Sequence, residues 1–375
     1  MLIKNCKIIY PTGIEEGSVL VRNGKIEEIN PPKLPPDEVL DANGLYLSPG
    51  FIDIHIHGAG GYDTMEGSYK ALNEISKAIA SHGTTAFLPT TMTCASSEIL
   101  EAVHAINHAR AQGTEGAQIL GVHLEGPFIS PAMIGAQNPQ YIESPSIDTF
   151  KNLVGDYMGS IKTVTLAPET QGALELIQFL HAQGITVSIG HSKATYKEAM
   201  AGIKAGASHS THLFNAMTGL HHRDGGVVGA VFDSPITTEA ICDGVHVDYP
   251  VLRIALKQKS TDRMLLISDA MMACCMPNGR YVLGGQDVIA QDGAARLENG
   301  ALAGSVLTLD QAIKNIYEHT DYELFEIIKM AALNPAKHCG VADKKGQIAE
   351  GYDADLVLFD ENITIHNVFI GGKIF

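Results

Sequence analysis

Apolar and polar residues alternate with a period of two through Leu2 to Ile9, Ser18 to Arg22 and Lys25 to Ile29, and again in Glu38 to Asp41 and Leu45 to Leu47. That period predicts half-buried strands. Pro11-Thr12-Gly13, Asn23-Gly24 and Asn43-Gly44 punctuate them, and Asn-Gly between two strands is a strong hairpin signal. Pro31-Pro32-Lys33-Leu34-Pro35-Pro36 reads as a surface connection, too short for a domain linker. Residues 1–49 are thus expected to be all-β and too small to hold a good core alone.

From Gly50 the pattern becomes strand followed by helix, repeatedly. Expected strands are Phe51 to His57, Thr84 to Pro89, Gln118 to Glu125, Ile161 to Ala167, Ile185 to His191, Ala207 to His212, Thr237 to Asp243 and Met264 to Asp269. Expected helices between them are Tyr69 to Ser81, Ser97 to Gln112, Ala173 to Gln183, Thr195 to Ala205 and Tyr249 to Lys259. Eight such units predict an α/β fold of the (β/α)8 TIM-barrel type. A doubly wound open sheet competes, but no Gly-X-Gly-X-X-Gly turn follows the first strand. After the eighth strand come hairpin turns at Asp292-Gly293 and Asn299-Gly300, then helices over Thr308 to His319 and Tyr322 to Leu333. Beyond Asn334-Pro335 the pattern turns β again, over Gln347 to Ile348, Asp355 to Asp360 and Asn362 to Phe375. The expected organisation is a barrel over 50–335 and a small β-sandwich domain assembled from both chain termini, 1–49 and 336–375.

Composition narrows the function classes. With 45% hydrophobic and 18% charged residues the chain resembles a soluble globular enzyme. A formal net charge of −16 argues against nucleic acid or an anionic membrane as partner. Six cysteines without a Cys-X-X-Cys pair suit reduced thiols. Met1 opens straight into a strand, and no apolar run reaches the roughly 18 residues of a membrane span, so a cytoplasmic protein is expected.

Barrel enzymes place working residues at the carboxyl ends of their strands. Reading those ends gives His55 and His57 on the first strand, Glu125 on the third, His191 on the fifth, His212 on the sixth, Asp243 or His246 after the seventh and Asp269 on the eighth. Asp53, His55 and His57 leave one face of their strand, and two imidazoles about 7 Å apart along it converge on an ion past its end. A lone His-X-His is more often a satisfied pair in a buried strand; the recurrence of ligand types at later strand ends is what favours a metal. Imidazole and carboxylate donors without thiolates suit zinc, iron(II), manganese or cobalt. Glu125, between two histidine pairs, is placed to bridge two ions, which would acidify a water and polarise a carbonyl, while Asp269 moves the proton.

These residues resemble the amidohydrolase superfamily. Within it, His123-Leu124-Glu125-Gly126-Pro127-Phe128, Gly190-His191-Ser192, Thr211-His212-Leu213-Phe214-Asn215-Ala216-Met217, Asp243-Gly244-Val245-His246 and Ser268-Asp269-Ala270 closely resemble the N-acetylglucosamine-6-phosphate deacetylase family. The likeness runs to Gly351-Tyr352-Asp353-Ala354-Asp355-Leu356-Val357. It implies that Glu125, His191 and His212 hold the catalytic ion and that Asp269 is the general base and acid for hydrolysis of an N-acetyl amino-sugar phosphate to free amine and acetate. His246 would bind substrate and steady the oxyanion. Asn215, Ala216 and Arg223 would meet the phosphate, with His222 assisting, and Arg223 reaching across a homodimer interface. Some members lack the His-X-His pair and work with one ion; retention of His55 and His57 favours two. Many carry histidine where this chain has Gln137, a substrate-binding position that keeps a hydrogen-bond donor without charge.

Other residues are expected to be bystanders. His209 should point to another side of its strand, and His123 should lie one layer below Glu125. Cys274 and Cys275 are assigned a structural loop role, while Met271, Met272 and Met276 are candidates for the sugar pocket. His82, His104, His108 and His181 are expected on helices or their ends with no partner, and His221 as a solvated neighbour of His222. A cyclic-amide hydrolase of the dihydroorotase or hydantoinase type would need a lysine in the bridging slot, which here is Glu125. A non-catalytic sugar-phosphate-binding protein would have no use for Asp269.

Overall fold

The strand-then-helix alternation is realised in the computed structural model, which describes residues 1–32 and 38–375; Lys33 to Pro36 of the expected surface connection lie outside the described residues. The strands at its centre are β1 (Phe51–Ile56), β2 (Thr84–Pro89), β3 (Val122–Glu125), β4 (Ile161–Leu166), β5 (Thr186–Ile189), β6 (His209–Ser210), β7 (Thr237–Ile241) and β8 (Met264–Ile267). β1, β2, β3 and β8 are buried at every residue, as strands covered on both faces must be. β1 pairs with β2 in parallel, and β3 to β8 pair in sequence order, also in parallel. A bridge from Thr90 to His123 links β2 to β3. At the other edge Asp269 N donates to His55 O at 2.9 Å and His57 N to Ala270 O at 2.8 Å, tying the segment after β8 to β1. The product is a curled parallel sheet.

The expected third strand is interrupted. Gln118–Ile119 pairs with β2 while Val122–Glu125 pairs with β4. At the break, a Cβ on Gly121 would lie 2.5 Å from Ser160 O, so only glycine lets the chain pass there.

Helices α1 (Tyr69–Ala80), α2 (Ser96–Gln112), α3 (Ile147–Val154), α4 (Ala173–Ala182), α5 (Tyr196–Ala205), α6 (Gly226–Phe232), α7 (Tyr249–Lys259) and α8 (Leu309–His319) connect these strands and follow the last. Their starts carry the expected signals: Ser68 accepts from Ala71 N, and Thr195 and Glu198 cap α5 reciprocally. α1 buries Ala71, Leu72, Ile75 and Ile79, one stripe of a 3.6-residue period. α3 and α6 go beyond the five expected helices. Gly226-Val-Val-Gly-Ala-Val-Phe232 has poor intrinsic helix propensity, and its helix rests on burial of Val227, Val228, Ala230 and Val231.

Two further helices, α9 (Leu324–Ala331) and α10 (Leu333–His338), precede the C-terminal strands. Pro335 was expected to end helical structure, yet it lies in the first turn of α10, where its missing N–H costs nothing. The expected boundary after residue 335 therefore falls inside a helix.

Strands from both chain ends share one eight-stranded sheet, in which Tyr46–Pro49 joins Leu356–Phe359 antiparallel. It has a core of its own, including Ile3, Ile8, Val19, Leu47, Leu356 and Phe369. Gly279–Leu283, Gln286–Gln291 and Ala294–Leu297 form a separate antiparallel sheet turning at Asp292-Gly293. Among the described residues, no helix is long and apolar enough to cross a membrane.

Candidate metal centre

His191, His212 and Asp269 were expected to end their strands, but β5, β6 and β8 stop two residues earlier, at Ile189, Ser210 and Ile267. All three lie in the left-handed region, with φ of 47°, 25° and 50°, a conformation that costs a non-glycine residue about 1–3 kcal/mol. Hydrogen bonds to distant parts of the same chain hold them there: Ser130 N to His191 O at 2.8 Å, His212 N to Glu239 Oε2 at 2.9 Å, and Asp269 N to His55 O at 2.9 Å. The turn breaks the strand alternation and aims each side chain at a common point.

That point is Glu125. His191 Nε2 and His212 Nε2 lie 3.2 and 3.1 Å from Glu125 Oε1 and 3.2 Å from each other. His57 Nε2 lies 3.3 Å from Glu125 Oε2 and 3.3 Å from Asp269 Oδ1. His55 Nε2 lies 3.5 Å from Glu125 Oε1 and 3.4 Å from Asp269 Oδ1. All six side chains are buried.

The donor set fits a divalent ion. Ligands about 2.0–2.1 Å from one tetrahedral ion stand about 3.3 Å apart, close to the 3.1–3.2 Å spacing within Glu125, His191 and His212, and the ligand atoms of His55, His57 and Glu125 also lie within 4.8 Å of one another. Three of the four outer ring nitrogens are spoken for, and the fourth, His212 Nδ1, is buried without a partner among the described residues. His55 Nδ1 donates to Glu239 at 2.9 Å, His191 Nδ1 to Met133 O at 2.9 Å and His57 Nδ1 to Thr90 O at 3.3 Å, so each Nε2 turns a lone pair inward. His55 Nε2 is buried without a hydrogen-bond partner, an expense that an ion removes.

Charge at this point is dense. Burial works to protonate Glu125 and Asp269, but the surrounding imidazoles, His55 foremost, outweigh it and hold both carboxyls below the ordinary range. Burial likewise opposes charge on His57, yet its hydrogen bonds to Asp269 and Glu125 prevail and raise it to about 9. An imidazole raised above its unfolded value of about 6.5 stabilises the ion-free protein below pH 6.5, and that contribution disappears as pH climbs through 9. An incoming ion must displace the proton. Zinc affinity is therefore expected to rise about tenfold per pH unit from pH 6 to 8, with at least one proton released per ion bound to the His55–His57 pair. Calorimetric titration in two buffers of different ionisation enthalpy measures this; no proton release would refute it.

One participant was not singled out from the sequence. Glu239, in the middle of β7 and fully buried, accepts from His55 Nδ1, from the His212 backbone and from His209 Nε2 at 3.3 Å. The only sequence signal was a charged residue inside an otherwise uncharged strand. His209, expected to point elsewhere, faces Glu239 and donates or accepts at Thr237 Oγ1 at 2.6 Å, because β6 is two residues long and the chain turns before His212. His123 does lie one layer below, edge-on to His55 at 4.5 Å, and burial with His55 nearby lowers it to about 3. Glu239→Gln is expected to weaken ion binding about 10–100-fold, read by competition with a chelator. Unchanged affinity would show that Glu239 does not support the ligands.

Above the ligands is a cavity of about 230 Å³ lined by Gln137, Asn215, Ala216, His246, Asp269 and Leu283, among others. His246 Nδ1 and its backbone N–H both donate to Asp243, at 2.6 and 2.8 Å, so its Nε2 end is the free one. Gln137 is doubly held: Oε1 accepts from Thr93 N and Nε2 donates to Glu125 Oε2, both at 2.7 Å. The methionine on the cavity wall is Met92; Met271, Met272 and Met276 are not in its lining. His222 and Arg223 are exposed, 2.6 Å apart at Nε2 and Nη1, and within one chain they stand outside the lining.

Comparison with known proteins follows the same lines. Residues 46–375 match the amidohydrolase family. The chain is 39% identical to the N-acetylglucosamine-6-phosphate deacetylase of Lysinibacillus sphaericus, covering 100% of this chain and 97% of that protein. It is 36% identical to the N-acetylgalactosamine-6-phosphate deacetylase of Escherichia coli O157:H7, with 96% and 95% covered. The solved N-acetylglucosamine-6-phosphate deacetylase of Pasteurella multocida superimposes with a TM-score of 0.95 at 33% identity, covering 100% and 99%.

Proposed function

The chain belongs to the amidohydrolase family, among the N-acetylglucosamine-6-phosphate deacetylases, and on that premise we propose how it hydrolyses the acetamide of N-acetyl-D-glucosamine 6-phosphate to D-glucosamine 6-phosphate and acetate. The observation that carries the reading is the meeting of Glu125, His191 and His212 within 3.2 Å of one another, with Asp269 beside them at the floor of the cavity. Those three would hold the catalytic ion, and His55, His57 and Glu125 would hold a second one. Such ions acidify a water and polarise a carbonyl; zinc, iron(II), manganese and cobalt all suit the donors.

The chain's own residues do the rest. Asp269, held ionised, takes the proton of the attacking water and delivers it to the departing nitrogen. His246 meets the developing oxyanion through Nε2, its ring oriented by the Asp243 carboxylate on Nδ1. Asn215 Nδ2 is turned to the carbonyls of His212 and Leu213 at 3.3 and 3.2 Å, which fixes the turn that offers the Ala216 backbone to the phosphate end. Gln137 fixes the tilt of Glu125 and keeps one further N–H for a sugar hydroxyl. Arg223, paired with His222 on an exposed loop, serves the phosphate from the partner of a homodimer.

The same reading takes the curled sheet as a (β/α)8 barrel over 50–335 and the terminal sheet as a small sandwich built from 1–49 and 336–375. Acetate release by the ion-loaded protein tests the function, on the glucosamine, galactosamine and mannosamine 6-phosphate derivatives in parallel. The 36% identity to an N-acetylgalactosamine-6-phosphate deacetylase makes the epimer panel part of the test. Highest kcat/KM on the glucosamine compound is expected; no acetate from any of them would refute the assignment.

A further inference from the structure

Two cysteines that the metal centre does not use stand side by side after β8. Cys274 is buried and Cys275 exposed, and their sulfurs are 3.7 Å apart. His82, beyond the end of α1, is turned to the same spot. Its Nδ1 donates to Asp310 at 3.0 Å, at the start of α8, and the ring is near enough to Cys275 for the two groups to shift one another's protonation. Carboxylate, imidazole and thiol in that order keep a cysteine as its thiolate, and 36% of the His82 side chain is open to solvent, so small reagents reach the group.

We propose that Cys275, with Cys274 beside it, is a peroxide-reactive modification site separate from the metal centre. The Cys275 thiolate attacks one oxygen of a hydroperoxide; the S–O bond forms as the O–O bond breaks, and the leaving oxygen takes the His82 proton. Cys275 is oxidised to a sulfenic acid and the peroxide reduced to water or an alcohol. The Cys274 thiol then attacks that sulfur, forming the S–S bond as the S–O bond breaks, and its proton leaves with the hydroxide as water.

The Cys275 thiol is brought down to about 5, first by the hydrogen bond from Cys274 and then by His82, against burial. His82 is raised to about 10 by Asp310 and Cys275. Half-buried Cys94 is an internal contrast, its thiol pushed up to about 11 by burial. A bond between adjacent residues is also easy to undo. Their Cα atoms are about 3.8 Å apart, short of the roughly 4.4 Å minimum of ordinary disulfides, and such strain raises the reduction potential.

The test uses protein loaded with zinc, which is redox-silent. Equimolar hydrogen peroxide should join Cys274 to Cys275, seen by mass spectrometry as loss of two hydrogens from their shared peptide and reversed by dithiothreitol. Cys274→Ser should leave a sulfenic acid that dimedone traps on Cys275. Alkylation of Cys275 by iodoacetamide at pH 6 should outpace that of Cys94 and stay flat to pH 8. In His82→Asn the thiol should move up toward the free value, so alkylation at pH 6 should slow several-fold and rise with pH instead of staying flat. Peroxide that leaves both thiols free, or Cys275 no faster than Cys94, would overturn the site. An unchanged pH profile in His82→Asn would overturn the role of His82.

Discussion

Asp269→Asn is expected to lower kcat on N-acetylglucosamine 6-phosphate by about 10³- to 10⁴-fold, with KM within a few-fold of the unaltered protein. Asparagine fills the same volume and can still accept a hydrogen bond, but it cannot take a proton from water or return one to nitrogen. The proton is moved only on the way to the transition state, so the loss should fall on kcat rather than on binding. Ion content separates this role from a structural one. Glu125, His191 and His212 do not depend on Asp269, so at least one ion per chain should remain by elemental analysis. Asp269 Oδ1 also sits 3.4 and 3.3 Å from His55 and His57, and the second ion should be held more weakly. Activity within tenfold of the unaltered protein would remove Asp269 as the proton carrier, and a variant without any ion would make it chiefly a ligand.

Much of this site is legible in the sequence because a curled parallel sheet brings its carboxyl ends together wherever they lie in the chain. Glu125, His191, His212 and Asp269 are far apart in sequence and neighbours in space for that reason alone. What periodicity could not supply was the last two residues of three strands. Strict alternation sends residues i and i+2 to one face, but His191, His212 and Asp269 follow a left-handed turn, and His209 faces inward with Glu239 instead of away. Burial inside the curl was illegible as well. Glu239 is a charge that propensity places at a surface, and only the histidines that converge on it from β1 and β6 make its position tolerable. The helix α6 escaped for the complementary reason, since its glycines and β-branched residues are helical only because their neighbours bury them. His222 and Arg223 show the remaining gap: their assignment came from resemblance, and in one chain they do not reach the cavity.

Glu125→Gln is expected to have the second large effect, on ion binding and turnover together. Glu125 lends Oε1 to His191 and His212 and Oε2 to His57, and its negative charge is what lets several buried imidazoles face one another. Gln has the same shape, but its NH2 would present protons to lone pairs or to an ion, and its oxygen carries no charge. Both ions should be lost at micromolar supply. The rise in melting temperature that zinc gives the unaltered protein, which follows RT ln(1 + [L]/Kd), should shrink to near zero, and acetate release should drop below about 0.1%. Without ions the variant should also unfold more readily at pH 6 than the unaltered protein does without ions. There His55 and His57 are charged, and removing one of the two carboxylates that face them, with Asp269 the other, leaves buried positive charge less compensated, a loss of at most about 3–5 kcal/mol, the figure for a buried pair broken on one side. At pH 9, where His57 gives up its proton, that difference should narrow. Thermal unfolding of both proteins under chelator at the two pH values measures it; equal melting points at pH 6 would mean that Glu125 organises the ions but not the empty site.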